Sequence, residues 1–278
     1  MASKRYSALL PANYRQVCRL SCVPVIVRAR HLIIADTLTS NHYYLKVMFK
    51  ILLSAGKDLF DLLYPVSCLV CGDRQVDRCH LCTYCLDHAF EPSNEDGRES
   101  SEGLVLPEWI TMQHTLWEFD KGGFLQDVLH HVKYGGLADL GVTLGEKLGK
   151  ELLNNRYLRV SHETILLPVP LHPARERKRG YNQSFLIAFG IANMTGAEIA
   201  PHGAVQRIRN TRTQTGLNAS NRRKNLSGAF TIREQQAFVN RDVIIVDDVI
   251  TTGATVFELA SLIRGYCGKI GVATIARA

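Results

Sequence analysis

From Met48 onward, the apolar positions fall into short runs with two periods. Phe49, Leu52, Leu53, Leu59, Phe60 and Leu63 recur at helical spacing, with Lys50, Lys57, Asp58 and Asp61 between them. That pattern predicts an amphipathic helix stopped by Pro65. "FLQDVLHHVKYGGLADLGVTLGEKLGKELL" (Phe124–Leu153) gives two further helical patterns, broken at Gly135-Gly136. "TILLPVPLHP" (Thr164–Pro173) reads as a short strand running out in prolines, and "SFLIAFGIANMTG" (Ser184–Gly196) as a helix ended by Gly196. Val243–Val246 is β-branched throughout, as suits a strand covered on both faces. "VFELASLIRGYCG" (Val256–Gly268) then predicts a helix, and "GKIGVATIARA" a final strand. Strands alternating with helices imply an α/β domain with a mostly parallel sheet flanked by helices.

Polar stretches divide this pattern. "EPSNEDGRESSEG" (Glu91–Gly103) is too poor in apolar residues to contribute to a core, so it reads as a linker. The expected organisation is a small cysteine-bearing module with its helix over 48–90, a linker over 91–104, and the α/β domain over 105–278. Residues 1–47 carry seven Lys/Arg against the single acid Asp36, without sustained periodicity. They read as a poorly ordered extension, or as an upstream start that the functional protein does not need.

The chain of 278 residues has a net charge of +7. Between Leu171 and Arg233 there are eleven Lys/Arg against Glu176 and Glu198, a local +9 that leaves the remainder at −2. An anionic partner, such as a phosphorylated metabolite or nucleic acid, is therefore expected at that segment. No apolar stretch approaches the roughly 20 residues of a membrane span, so no membrane insertion is expected. No secretory leader is visible either, which points to a cytoplasmic, reducing compartment.

In that compartment clustered thiols read as metal ligands before disulfides. Cys68-x2-Cys71 and Cys82-x2-Cys85 form a four-thiolate frame suited to a structural tetrahedral zinc, with no position open for catalysis. Cys79 and His80 offer competing ligands.

"VIIVDDVITTGAT" (Val243–Thr255) carries the most specific chemistry. Ligands of parallel sheets bind beyond the carboxyl ends of the strands, where Asp247 and Asp248 are expected. The turn Thr251, Thr252, Gly253, Ala254 and Thr255 then supplies hydroxyls, bare backbone and a helix N-terminus, which together suit a phosphate monoester. Acids repel phosphate but accept hydrogen bonds from vicinal hydroxyls, or help hold Mg²⁺ through water. A ribose 5-phosphate satisfies both halves. Arg175, Arg177, Lys178 and Arg179 follow another predicted strand end and suit a second phosphate group. His130, His131 and Trp117 read as core-packing residues.

Together these motifs resemble the ComF family, whose members join an N-terminal zinc finger to a type I phosphoribosyltransferase-like domain. The resemblance covers Met48 to Ala278 and rests on the cysteine pairs, "VLHHVKYGG", "LLPVPLHPARERKRGYNQS", "RNTRTQTGLNASNRRKNLSGAF" and "VIIVDDVITTGATVFELA". It implies that Asp247, Asp248 and Thr251–Thr255 bind phosphoribosyl pyrophosphate (PRPP) with Mg²⁺. It also implies a pyrophosphate loop at Arg175, Arg179, Gly180, Asn182 and Gln183. Thr211, Gln214, Arg222 and Asn225 would lie on a flexible loop, and Cys68, Cys71, Cys82 and Cys85 would hold zinc. Two functions stay open. One is phosphoribosyl transfer to an unknown acceptor, linked to DNA uptake or nucleotide metabolism. The other is a non-catalytic PRPP or nucleotide sensor, or a single-stranded-DNA-binding competence factor, beside a helicase-like partner.

Overall fold

The computed structural model describes residues 66–75, 79–93, 107–155, 160–209 and 228–278. The extension over 1–47, the helix read over 49–63, most of the linker, and Thr211, Gln214, Arg222 and Asn225 lie outside the described residues. The chain divides into two compact units. Tyr84–Ala278 falls in the larger, and the described residues up to Thr83 in the smaller.

The larger unit is built on a five-stranded sheet of β1 (Ile110–Glu118), β2 (Ile165–Pro168), β3 (Glu198–Ile199), β6 (Val243–Ile250) and β7 (Ile270–Arg277). The strand order is β1-β7-β6-β2-β3, and every pairing is parallel. The sheet confirms the α/β class and its parallel character. β1 has no counterpart among the predicted strands. Its burial alternates only loosely, and it leans on β7 along one side. β4 (Val205–Arg207) and β5 (Phe230–Ile232) form a separate antiparallel pair.

The helices follow the apolar periods. After α1 (Thr83–His88) come α2 (Phe124–Tyr134) and α3 (Ala138–Leu153), separated at Gly135-Gly136 as the pattern predicts. The arginine segment forms a short helix, α4 (Pro173–Arg179), rather than a loop. Pro173 suits its first turn, the His172 side chain caps it, and Gly180 ends it at φ 87°. α5 (Gln183–Thr195) ends at Gly196, while α6 (Ala254–Ile263) stops short of the predicted Gly268.

The core lies on both faces of the sheet. Ile165, Leu167, Val243, Ile245 and Val272 join Val256, Leu259 and Ile263 of α6 in one cluster. On the other side α3 and α5 pack closely together and contact the central strands. Small residues permit this close approach. A Cβ on Gly145 would lie 2.1 Å from the Ile187 carbonyl oxygen, and one on Gly190 2.2 Å from that of Val142. Both obstacles are backbone, so no rotamer change relieves them.

Gly145→Ala and Gly190→Ala should therefore each destabilise the fold by about 1–3 kcal/mol or more. Gly265→Ala, where a Cβ meets nothing within 4 Å, should stay within about 0.5 kcal/mol of wild type. Urea unfolding of the three variants checks the contrast.

Candidate ligand-binding site and cysteine cluster

β6 runs further than its β-branched half. β7 accompanies it to Ile250, opposite Arg277, whereas β2 stops at Pro168, opposite Val246. Asp247 and Asp248 thus lie inside the strand, on a stretch where β2 no longer flanks it. That opening sets the acids at the carboxyl edge of the sheet, as the sequence implies.

Both acids are engaged. Ser184 Oγ donates to Asp247 Oδ1 at 2.9 Å, and the Asp248 amide donates to the same oxygen at 2.9 Å. Gln183 Nε2 donates to Asp248 Oδ1 at 3.2 Å, and Lys133 Nζ forms an ion pair with Asp248 Oδ2. Asp248 is only 5% exposed, so its charge depends on these partners.

The two carboxyls differ in protonation. Burial and the neighbouring Asp248 push Asp247 up to about 8, so it holds its proton at neutral pH. Burial also opposes ionisation of Asp248, but Lys133, with help from Gln183, holds it below the ordinary carboxylate range. Lys133 is itself raised, because Asp248 and then Asp247 outweigh the effect of burial. One ammonium therefore faces one carboxylate and one carboxylic acid. The raised Asp247 contributes stability that is lost as pH rises through about 8. The lowered Asp248 contributes stability that is lost as pH falls below the carboxylate range.

The loop before α5 positions this network. Asn182 caps α5 by accepting from the Ser184 amide at 3.0 Å, and donates from Nδ2 to the Val169 carbonyl at 3.0 Å. Tyr181 donates its hydroxyl to the Val132 carbonyl at 2.7 Å, fastening the last turn of α2 beside the acids. Arg179 donates to Gln183 Oε1. Gln183 and Arg179 are thereby brought to the acid pair, while the Asn182 amide is tied to backbone.

Beyond β6, Thr251 is exposed, Thr252 and Thr255 are half-buried, and Gly253 and Ala254 are buried. Gly253 occupies the N-cap of α6 at φ 66°, a conformation that favours glycine. It brings no side chain to the first amides of the helix.

Arg207, at the end of β4, was not among the expected site residues. Burial and then Arg175 hold its guanidinium below the usual range, while Asp247 opposes them. Arg175 and Asp247 are thus both near enough to Arg207 to act on its charge. Arg207 also lines a cavity of about 250 Å³ with Pro168, Pro170, Glu176, Asn182 and Gln206. Lys133 and Ser184 are the other residues that sequence reasoning missed. Lys133 immediately follows the buried face of Leu125, Val128, Leu129 and Val132, and a lysine on that margin was the available signal. Ser184, fully buried in an apolar helix, gave almost none. Trp117 is in the core and packs against Phe90 with ring centroids 4.7 Å apart. His130 is exposed and His131 half-buried, so neither is the packing residue expected.

The cysteine frame assembles as predicted. The sulfurs of Cys68, Cys71, Cys82 and Cys85 all lie within 4.8 Å of one another, and Cys71 and Cys82 are 3.9 Å apart. Four thiolates at about 2.3 Å from one zinc would be separated by roughly 3.8 Å, so the set fits such an ion. Burial would raise the Cys68 thiol, but backbone N–H donors from Cys82, Cys71 and Val70 outweigh it and lower it to about 6. At neutral pH Cys68 is thus already a thiolate, the form that binds metal. These four residues could hold a metal such as zinc.

The larger unit is thus an α/β domain whose open sheet edge gathers two acids, a glycine turn and a set of cations. No family model matches the chain. It is 32% identical over 209 residues to the DNA utilization protein YhgH of Salmonella typhimurium, covering 75% of this chain and 86% of that protein. It is 40% identical over 111 residues to Competence protein F of Haemophilus influenzae, covering 40% of this chain and 46% of that protein. The DNA utilization protein YhgH of Escherichia coli (strain K12) is 34% identical over 140 residues, 50% of this chain and 60% of that protein. The chain belongs to the ComF family.

Two outcomes follow from the geometry. Lys133→Met should cost about 3 kcal/mol at pH 7, because it strands a buried carboxylate. Part of that loss should return at pH 5 as Asp248 takes up a proton; urea unfolding at both values checks this, and an equal loss would remove Lys133 from the charge balance. Metal analysis of the purified protein should find about one zinc per chain, and Cys68→Ser should abolish it.

Proposed function

We propose that the open edge of β6 binds the ribose 5-phosphate of PRPP together with Mg²⁺, and that the chain can transfer the phosphoribosyl group to an acceptor. The observation that carries this reading is the acid pair on a one-sided stretch of strand, followed directly by the Gly253 turn into α6. The ribose 2′- and 3′-hydroxyls would bond to Asp247 and Asp248. The 5-phosphate would take the N-terminal amides of α6 and the hydroxyls of Thr251, Thr252 and Thr255. Arg175 and Arg179 would hold the pyrophosphate, with Arg207 beside Arg175 adding positive charge. Gly180, Asn182 and Gln183 belong to this loop as framing residues.

In such a reaction the nucleophile bonds to C1′ as the C1′–O bond to pyrophosphate breaks. The departing electron pair goes to the pyrophosphate oxygen, where the arginines meet the growing negative charge. The Asp248 carboxylate near the sugar would stabilise the positive charge that develops on it. Mg²⁺, when bound with the ligand, supplies further charge neutralisation on the pyrophosphate. Lys133 would keep Asp248 ionised beside the ligand.

A second reading is favoured by the relatives' names, Competence protein F and DNA utilization protein. There the same domain serves DNA uptake or use in the cytoplasm without transfer, sensing PRPP or a nucleotide, or binding single-stranded DNA through its basic segment. A helicase-like competence protein is the partner this reading implies.

Calorimetry with PRPP and Mg²⁺ tests the ligand. Asp247→Asn/Asp248→Asn should weaken binding at least tenfold, and unchanged binding would remove the acids from the site. Pyrophosphate release in the presence of candidate acceptors then separates transfer from sensing.

A further inference from the structure

α2 ends on two residues with opposite fates. Lys133 turns to the acid pair, and Tyr134 beside it is 68% exposed. A large ring left in water is itself common, but this one is held. The Arg179 guanidinium lies over the Tyr134 ring, 5.0 Å from its centroid. Arg179 donates to Gln183, and Gln183 donates to Asp248. The ring is therefore linked to the acid pair by direct contacts on one side and by its covalent neighbour Lys133 on the other. His130, also exposed, stands 5.1 Å from Tyr134 at an interplanar angle of 46°, which flanks the ring without stacking on it. Gly135 and Gly136 follow, both exposed, and a Cβ on Gly136 would meet nothing within 4 Å. One face of the ring is thus backed by a cation, the two residues that follow it carry no side chain, and the ring stays largely open to solvent.

We infer that Tyr134, backed by Arg179 and flanked by His130, is a stacking platform for a nucleobase at the mouth of the acid-pair site. The chemistry it recognises is the flat π-face of a base carried on a phosphorylated sugar. The ring stacks on the base, and the guanidinium supplies positive charge where the phosphate-bearing partner arrives. The excess of Lys/Arg between Leu171 and Arg233 complements such a ligand. The base can come from a free nucleotide or from a single strand. The free-nucleotide source rests on the ribose 5-phosphate reading of Asp247 and Asp248; the single-strand source does not.

Four probes separate these cases: a nucleoside 5′-monophosphate, ribose 5-phosphate, a twelve-residue single-stranded oligothymidylate, and its abasic counterpart. Binding is measured by calorimetry and fluorescence anisotropy for wild type, Tyr134→Ala and Tyr134→Trp. Tyr134→Ala should weaken at least one base-bearing probe about tenfold, the loss expected from one stacked base. It should leave ribose 5-phosphate and the abasic strand unchanged, and Tyr134→Trp should restore binding because it restores a ring. Loss confined to the oligonucleotide assigns the base to a strand, and loss confined to the monophosphate assigns it to a nucleotide. Equal binding of every base-bearing probe by wild type and Tyr134→Ala, or no binding of any to wild type, overturns the platform. If ribose 5-phosphate fails to bind wild type while the oligonucleotide effect persists, the ribose assignment falls and the platform stands.

Discussion

A carboxylate 5% exposed on a central strand is tolerable only because Lys133 comes to it from another element. This one ion pair explains much of what surrounds it. α2 must end where its ammonium reaches β6, and the Tyr181 hydroxyl secures that last turn by bonding to the Val132 carbonyl. α5 must begin where Gln183 and Ser184 reach the same acids, and the Asn182 cap fixes that start. Placing the acids side by side then forces a division of labour, because one ammonium neutralises only one of them. Asp248 takes the charge and Asp247 keeps its proton.

The resulting site differs from a simple acidic patch. It offers one compensated carboxylate, one carboxylic acid and a turn whose glycine N-cap places no side chain over the helix start, all where β2 has ended and β6 is ending. Hydroxyl groups can exchange hydrogen bonds with either protonation state, whereas a bare metal ion would meet a carboxyl that must first lose its proton. This balance of charge is what supports the proposal of a polyhydroxylated ligand that brings its own cation.

Much of this was legible from the residues, for identifiable reasons. β6 and its turn were readable because four β-branched residues, two acids and a glycine each have few other uses in that register. The two Cys-x2-Cys pairs carried their spacing openly. β1 and the β4–β5 pair were not readable, since β1 lacks a clean alternation and the others are only three residues long. Lys133 and Arg207 were missed for a different reason. Their roles come from elements distant in sequence that meet only in the fold, and a single lysine or arginine in a helix or strand is ordinarily solvated. The short helix α4 was hidden by its own charge, since a run of arginines reads as loop until Pro173 and Gly180 are taken as its start and stop.

The contact between α3 and α5 has a consequence for how the site tolerates change. Where Gly145 meets the Ile187 carbonyl, the spacing of the two helices is set by main chain against main chain. Side-chain volumes elsewhere in the core bear less on that distance at this point, because backbone rather than a side chain is the obstacle there. α5 carries Gln183 and Ser184 at its first turn, so their placement inherits a reference that does not wear with substitution. The molecule separates the part of its interior free to vary from the part that acts as a fixed gauge.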